Sequence, residues 1–263
     1  MVNSSIRVIS KDVFNDQYWR WPGNLQFAAC DTLAPLSAEE FAKAALHMPI
    51  AFIKAEAGFI PVAVQGLSPG TNVFIGADYR WHGGYLPAVY RAYPFSLGRT
   101  SDDQLLLMVD TASGLIADTG TAPFFGSDGA PSEPTMKVLE FLHQMQSDRD
   151  RTDLICQVLA ELDLFEVWPI AMVDQEAQTQ LTGLFRINQQ VLKQLSAEAF
   201  ARLRSCDALP LIYAHFLSMQ HIDTLGVLMN KQRETMAILD TPEGCLDLEY
   251  LNDSDTIRLG GFR

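Results

Sequence analysis

Short apolar runs separated by turn residues fill the first half of the chain, as far as Pro134. Residues 50–54 and 60–64 are two such runs on either side of Gly58, and this arrangement predicts a β-hairpin. Residues 105–110 (LLLMVD) form a continuous apolar run, which predicts a central strand. Because strands that follow one another through short turns pair in opposite directions, this half of the chain predicts an antiparallel sheet.

Helical spacing of apolar residues replaces these runs in the second half of the chain. Residues 136–145 and 152–165 predict two helices, the second with apolar residues three and four apart along one face. Residues 168–173 and 181–187 predict two strands, and residues 209–229 predict the last long helix. The chain is therefore predicted to be an α+β protein, with an antiparallel sheet from its N-terminal half packed against helices mainly from its C-terminal half.

Capping and turn residues give several boundaries within this plan. Ser37 and Glu40 stand three apart before an apolar run, which is the spacing of a capping box at the start of a helix. Residues 72–75 predict a third strand after the hairpin, and residues 88–93 predict a short helix that ends before the next proline. Residues 113–134 are rich in Gly, Ala, Thr, Ser and Pro, which predicts a long loop, and such loops are often functional.

A single domain is predicted over residues 27–230, with one seam near residue 134. The sequence has no internal repeat, low-complexity tract or linker that would divide it further. Residues 1–26 are predicted to be an N-terminal arm, whose two tryptophans dock onto the domain. Residues 231–263 are predicted to be a C-terminal extension, in which residues 246–251 and 256–259 would form a terminal hairpin or a strand added to the sheet.

Acidic residues outnumber basic ones, 32 to 19, and the formal net charge is −13. No excess of Lys and Arg is present to replace phosphate counterions, so the composition argues against nucleic acid and against an anionic membrane surface as partners. The N-terminus lacks the apolar core of a secretory signal, and no apolar run approaches the roughly 20 residues of a spanning helix. We therefore expect a soluble, cytoplasmic protein that does not insert into a membrane.

The sequence lacks the motifs of common enzymes: it has no P-loop, dinucleotide fingerprint, HExxH or GxSxG. The four cysteines are widely spaced and form no CxxC pair, so they suggest neither zinc nor a redox centre. His221 and Asp223 stand two apart, a spacing that does not bring side chains together on a helix. We therefore expect no metal and no cofactor.

Two polar residues in apolar surroundings each have alternative interpretations. His215 and Ser218 are three apart on the last predicted helix, so their side chains can meet, but no nearby acid completes a catalytic Ser–His pair. A hydrogen-bonded core histidine is the other interpretation of His215. Asp110 ends the predicted central strand, where carboxylates often carry function, and it can equally cap its own turn with Thr111 and Ser113.

Residues 72–95 concentrate one Trp, four Tyr, two Phe, two Arg and one His around Gly83 and Gly84. Rings and guanidinium groups this dense can form a small-ligand site that stacks sugars or peptides, or a protein interface, because Trp, Tyr and Arg dominate binding hot spots. The alternative is that the stretch caps the sheet as core, with Arg91 in a structural ion pair. The candidate binding residues, here and elsewhere in the chain, are Trp81, His82, Tyr85, Arg91, Tyr93, Asp110 and His215.

Several separated blocks, in the same order, resemble the SapC-like family of bacterial proteins over roughly residues 25–230. The blocks are Phe27-Ala28-Ala29, Met48-Pro49-Ile50-Ala51-Phe52, Pro61-Val62-Ala63-Val64-Gln65-Gly66-Leu67, Gly84-Tyr85-Leu86-Pro87-Ala88, Arg91-Ala92-Tyr93-Pro94-Phe95, Gly183-Leu184-Phe185-Arg186-Ile187 and Leu211-Ile212-Tyr213-Ala214-His215. The chain departs from the family pattern at Tyr18-Trp19, where members often carry a His, and in its tail after about Lys231.

The resemblance implies an association with the bacterial surface or with nutrient uptake, since members accompany outer-membrane receptors of the TonB-dependent kind and halogenase-like or cupin-like enzymes. Some members are labelled peptide-transport permeases, but the lack of a spanning segment in this sequence speaks against that activity. The resemblance supplies no catalytic residues.

Two hypotheses about function follow from these observations. The leading one is a soluble, non-enzymatic accessory protein that binds a protein or peptide partner through the aromatic stretch. The alternative is a small-ligand-binding protein or enzyme with its site between residues 72–95 and 110–129. It predicts that Trp81, Arg91 and His215 converge on one solvent-accessible cavity. A structural role in a surface layer is a third possibility, and it would require export.

Overall fold

Thirteen strands and eight helices make up the described part of the chain, which the computed structural model gives for residues 5–100, 102, 104–173 and 178–240. The strands are β1 (Ile6–Val8), β2 (Tyr18–Trp19), β3 (Leu33–Pro35), β4 (Ile50–Ala55), β5 (Gly58–Val64), β6 (Phe95–Arg99), β7 (Leu105–Asp110), β8 (Ile116–Ala117), β9 (Ala122–Pro123), β10 (Phe165–Val167), β11 (Ile170–Val173), β12 (Gln178–Leu181) and β13 (Leu184–Ile187). The helices are α1 (Lys11–Phe14), α2 (Phe41–Ala44), α3 (Ala88–Ala92), α4 (Glu133–Glu161), α5 (Gln189–Gln194), α6 (Ala197–Ser205), α7 (Ala208–Ser218) and α8 (His221–Asp240). The terminal hairpin predicted within residues 246–259 lies outside the described residues.

The largest sheet has five strands in the order β10-β13-β4-β5-β3, and every neighbouring pair is antiparallel. The hairpin predicted around Gly58 is confirmed: β4 and β5 form its two strands, with Phe52 opposite Pro61. Gly58 has a φ of 135°, a conformation that other residues rarely adopt, so the turn requires glycine. The C-terminal half of the chain contributes β10 and β13 to this sheet.

Residues 72–75 are not a strand, and that prediction is wrong. The position beside β5 is taken by β3, from earlier in the chain. The side chain of Asn72 accepts a hydrogen bond from the Phe74 amide and donates one to the Ala28 carbonyl, which holds the backbone in a turn. Asn72 therefore uses its side chain to replace the pairing that a strand would have made.

A second sheet contains three antiparallel strands in the order β1-β7-β6, so the prediction that residues 105–110 form a central strand is confirmed. The loop predicted over residues 113–134 also contains two short strands, β8 and β9, on either side of β2. The strand predicted at residues 181–187 divides at Gly183, whose φ is 80°, into β12 and β13. β12 pairs with β11.

A single helix, α4, replaces the two helices predicted for residues 136–145 and 152–165, so that division is wrong. The segment between them is charged but contains neither Gly nor Pro, and nothing in it breaks a helix. Two tertiary contacts hold it: Arg151 forms ion pairs with Glu39 and Asp207, at 2.6 and 2.9 Å. Ser132 caps the start of α4 by accepting a hydrogen bond from the Thr135 amide.

The helix predicted over residues 209–229 is also divided, into α7 and α8, which meet near Met219. The smaller predicted features agree with the structure. The capping box of Ser37 and Glu40 is formed at a 3₁₀ turn, Ala38–Glu40, that leads into α2. The short helix predicted at residues 88–93 is α3. Among the described residues, no helix is long and apolar enough to cross a membrane.

The buried apolar side chains form two clusters. The larger cluster joins the five-stranded sheet to α4, α6, α7 and α8, through residues such as Phe52, Leu159 and Ile212. The smaller cluster joins the three-stranded sheet to β2 and the first half of α4, through Phe95 and Trp19. Trp19 is 3% exposed, so one tryptophan of the predicted N-terminal arm is docked in this cluster. Helices α3 and α4 each contribute buried residues to both clusters.

Candidate functional site

Trp81 turns into the protein, whereas its neighbour His82 turns out of it. The indole of Trp81 packs against Phe74 and Tyr90, with ring centroids 5.4 and 6.2 Å away. Its N–H group is buried and has no hydrogen-bond partner among the described residues. The His82 ring is exposed, and its Nε2 lies 3.4 Å from the Asp78 carboxylate. Trp81 is therefore a partly buried residue that packs against the core.

Gly83 and Gly84 allow two rings to lie against the backbone. A Cβ atom on Gly83 would lie 2.8 Å from Nε1 of Trp81, and one on Gly84 would lie 2.3 Å from Cε1 of His47. Neither glycine has a positive φ. Close approach of a ring, rather than backbone conformation, therefore favours glycine at these two positions, and most strongly at Gly83, where the ring is packed against the protein.

Tyr85 is held by a buried carboxylate that the sequence did not single out as part of a site. The Oε1 atom of Glu40 accepts hydrogen bonds from the Tyr85 hydroxyl at 2.9 Å and from the Ala88 amide at 2.8 Å. Its Oε2 atom accepts from the amide and hydroxyl of Ser37. Burial, and behind it the charge of Glu40, raises the pKa of the Tyr85 hydroxyl well above its usual value. Tyr85 therefore remains a hydrogen-bond donor at neutral pH.

Arg91 is exposed and stands at one end of an aromatic surface. Its guanidinium lies 5.2 Å from the centre of the Phe141 ring and donates a 3.4 Å hydrogen bond to the Tyr85 hydroxyl. A cavity of about 400 Å³ lies beside it, and we call this cavity the aromatic groove. The residues that line the aromatic groove are Trp19, Trp21, Arg91, Pro134, Lys137, Val138 and Phe141. Trp21 is 50% exposed and packs edge-on against Trp19, with ring centroids 5.1 Å apart.

Tyr93 and Asp110 form a separate pair. The Tyr93 ring stacks on Phe27 at 3.9 Å, and its hydroxyl donates a 3.4 Å hydrogen bond to the Asp110 carboxylate. Burial raises the pKa of Tyr93. The other oxygen of Asp110 accepts a hydrogen bond from the Ala112 amide at 3.0 Å. Asp110 thus caps its own turn, which was one of its two interpretations.

His215 is fully buried, and the core interpretation of this residue is confirmed. Its Nδ1 lies 2.9 Å from the Ile50 carbonyl, and its Nε2 lies 3.2 Å from the Ile187 amide, which can only donate. These partners fix the neutral ring with its hydrogen on Nδ1. Burial lowers the pKa of His215 to about 4. The Ser218 hydroxyl does not meet the ring, because it donates to the His215 carbonyl and accepts from the Ile50 amide.

The candidate residues therefore do not converge on one cavity. Tyr85 and Arg91 touch each other, Tyr93 and Asp110 touch each other, and His215 is enclosed between the sheet and α7. Within the described ranges, no group of three or more His, Cys, Asp or Glu residues could hold a metal ion. Three residues near Tyr85 and Arg91 were not among the binding residues predicted from the sequence: Glu40, Trp21 and Phe141.

A second cavity, of about 210 Å³, lies where the two apolar clusters meet, and we call it the edge cleft. Its walls come from the edge of the five-stranded sheet at Pro35 and Leu36, from residues 95–97 of β6, and from α4. Phe141 lines the aromatic groove and Leu142 lines the edge cleft. The two cavities are therefore neighbours along α4.

Comparison with known proteins gives a family and no named relative. A family model described as SapC matches residues 9–225 of the chain. No curated protein and no solved structure matches it.

Proposed function

The chain belongs to the SapC family, and from this premise and the chemistry of the aromatic groove we propose that it is a non-catalytic protein that binds a protein or peptide partner. The observation that carries the proposal is the environment of the Arg91 guanidinium. Its guanidinium is exposed, lies over the Phe141 ring and makes no ion pair within the described residues. A cation held against rings in this way can bind a carboxylate and an apolar group together.

The other groove residues support the same chemistry. Trp21 presents half of its surface beside Arg91, and exposed Trp and Arg are the residue types that carry most binding energy at interfaces. Lys137 also lines the groove, but it is paired with Glu133 at 2.7 Å. Arg91 is therefore the cation best placed to meet an acidic group on the partner.

The partner that fits this groove carries an apolar or aromatic side chain next to a carboxylate. The chain as a whole has a net charge of −13, so it repels strongly acidic proteins at long range. A local cation would then select one acidic side chain within an otherwise neutral or basic segment. The family resemblance supports looking for this partner among the proteins of bacterial surface or nutrient-uptake systems.

An enzymatic function has less support. Burial lowers the pKa of His215, but both nitrogens of its ring are occupied by backbone groups. Asp110 is occupied by its own turn and by Tyr93. A catalytic site between residues 72–95 and 110–129 would need a titrating group free to meet a substrate, and these two residues do not offer one.

The test begins with capture of partners from the native cell by the wild-type protein, identified by mass spectrometry. A synthetic segment of each partner is then titrated against Trp21→Ala and Arg91→Ala. Matched controls are Tyr213→Ala, an exposed ring on α7, and Arg80→Ala, an exposed cation in the same stretch.

We expect each groove variant to weaken binding at least tenfold and each control to change it less than twofold. Neutralising the acidic residue of the partner segment should remove the effect of Arg91→Ala, because both changes delete the same contact. Equal binding by wild type and by both groove variants, with melting curves unchanged, would exclude the aromatic groove as the partner site.

A further inference from the structure

The hydrogen bonds that β7 makes show which backbone N–H and C=O groups of β6 have no partner among the described strands of the sheet. The Ile9 amide donates to the Leu107 carbonyl, so odd-numbered residues of β7 face β1. The Asp110 amide donates to the Pro94 carbonyl, so even-numbered residues of β7 face β6. With Ser96 opposite Met108, the even-numbered residues of β6 are the ones that bond to β7.

Phe95 and Leu97 consequently turn their amide and carbonyl groups away from β7. Strand β6 pairs with β7 alone among the described strands, so these groups lie on an open edge. The edge belongs to the stretch of β6, residues 95–97, that lines the edge cleft. An open strand edge offers donors and acceptors at every second residue to an added strand.

The edge of the larger sheet that lines the same cleft is different. In β3, the Leu36 amide donates to the Pro61 carbonyl, so Leu36 and Ala34 face β5, and Pro35 faces outward. Proline has no amide hydrogen and cannot donate to an added strand. Of the two sheet edges that line the cleft, β6 is therefore the one equipped to pair.

The remaining walls of the edge cleft match an extended peptide in chemistry. Leu36, Ile60, Leu142 and Met145 give it an apolar floor. Arg149 and Asp153, one helical turn apart on α4, bring charges of both signs to its rim. Side chains of an added strand alternate between its two faces, so one set can enter the apolar floor while the other meets the rim.

We propose that the edge cleft binds an extended peptide segment, which adds to the three-stranded sheet as a strand beside β6. The segment has apolar residues at alternate positions and at least one charged residue that pairs with Arg149 or Asp153. This proposal rests on the proposed function, since it names the form in which a partner is bound, but it concerns a different cavity from the aromatic groove.

The test uses a display library of random eight-residue peptides, selected against the full-length protein, and synthetic copies of the selected peptides. Each copy is then prepared with one backbone amide N-methylated, position by position. We expect affinity to fall about tenfold for methylation at alternate positions and to stay unchanged for the positions between them. A loss of affinity that does not alternate from one methylated position to the next would overturn strand addition. A selection that yields no peptide would overturn it too.

Leu97→Pro and Leu97→Ala form the matched pair of protein variants. Both shorten the side chain, but only the proline removes the outward amide, while the bonds from Ser96 and Gly98 to β7 are kept. We expect Leu97→Pro to bind at least tenfold more weakly than Leu97→Ala. Should the proline variant fail to fold, the methylated peptides and the amide-exchange protection of Leu97 on adding peptide to the wild type decide the question.

Arg91→Ala separates this proposal from the proposed function. Peptide binding that is lost in Leu97→Pro and kept in Arg91→Ala supports strand addition, and the aromatic groove is then decided by the titration of partner segments against Trp21→Ala and Arg91→Ala. Binding that is lost in Arg91→Ala and kept in Leu97→Pro supports the aromatic groove and overturns strand addition.

Discussion

The hydroxyl of Tyr85 donates a 2.9 Å hydrogen bond to Oε1 of Glu40, a carboxylate that is 7% exposed. The same carboxylate caps the turn before α2 through Ser37 and accepts the Ala88 amide at the start of α3. One side chain therefore ties two parts of the sequence that lie about 45 residues apart. Arg91 donates a 3.4 Å hydrogen bond to the same hydroxyl, so this network extends from Glu40 to the edge of the aromatic groove.

Replacing Glu40 by Gln should destabilise the protein by about 2–3 kcal/mol, because the new amide group would face hydrogen-bond donors in a buried place. The matched control is Glu39→Gln, which removes an exposed ion pair with Arg151 and should cost less than about 1 kcal/mol. Urea unfolding followed by circular dichroism measures both changes. Equal losses in the two variants would mean that Glu40 acts only as a surface cap.

Gly83→Ala and Gly84→Ala should differ although the residues are adjacent. The new Cβ on Gly83 meets the Trp81 ring, which is packed against Phe74 and Tyr90 and cannot move freely. We expect a loss of about 1–3 kcal/mol and a shifted tryptophan emission. The new Cβ on Gly84 meets the exposed ring of His47, which can turn away, so the loss should stay within about 0.5 kcal/mol. A larger loss of stability for Gly84→Ala than for Gly83→Ala would contradict the view that the His47 ring can move and the Trp81 ring cannot.

Stability should fall as the pH drops below about 6.5, because His215 is neutral in the folded state. Its pKa is about 4 when folded and near 6.5 when unfolded, so between these values the unfolded chain binds more protons. The free energy of unfolding should lose at most about 1.4 kcal/mol per pH unit in this window, and nothing above it.

His215→Gln is the control for this pH dependence, because its amide can donate to Ile50 and accept from Ile187 without titrating. Denaturation at pH 7, 6 and 5 should show a flatter profile in the Gln variant, even though its stability at pH 7 is lower. An identical slope in the two proteins would assign the effect to other groups.

Amide exchange in the free protein should alternate along β6. Ser96 and Gly98 donate to β7 and should exchange slowly, whereas Phe95 and Leu97 face the edge cleft and should exchange faster. Exchange measured residue by residue by NMR gives the answer without any ligand. Slow exchange at all four positions would show that the edge is covered in solution.

The features that the sequence predicted correctly all depend on short-range signals. Residues close together in the sequence determine three of these features: the hairpin at Gly58, the capping box of Ser37 and Glu40, and the short helix α3. The wrong division of α4 had a long-range cause. Arg151 lies in the charged segment between the two predicted helices, and its two ion-pair partners lie 112 and 56 residues away.

The candidate site was predictable only in part, for the same reason. Tyr85 and Arg91 stood out because rings and cations were crowded in one stretch of sequence. Trp21 and Phe141 reach Arg91 from other parts of the chain, and no local pattern linked them to it. Glu40 was recognised as a cap, but the donors that occupy its other oxygen come from residues 85 and 88.

Pro35 affects the edge cleft as well as β3, the strand in which it lies. Two open sheet edges that line a common narrow space are the usual starting point for strand association and aggregation. An amide hydrogen at position 35 would give β3 a donor on the side where β6 also has donors and acceptors. Proline lacks that hydrogen, so β3 offers no amide donor at position 35 toward the edge cleft, and pairing between β3 and β6 is disfavoured there.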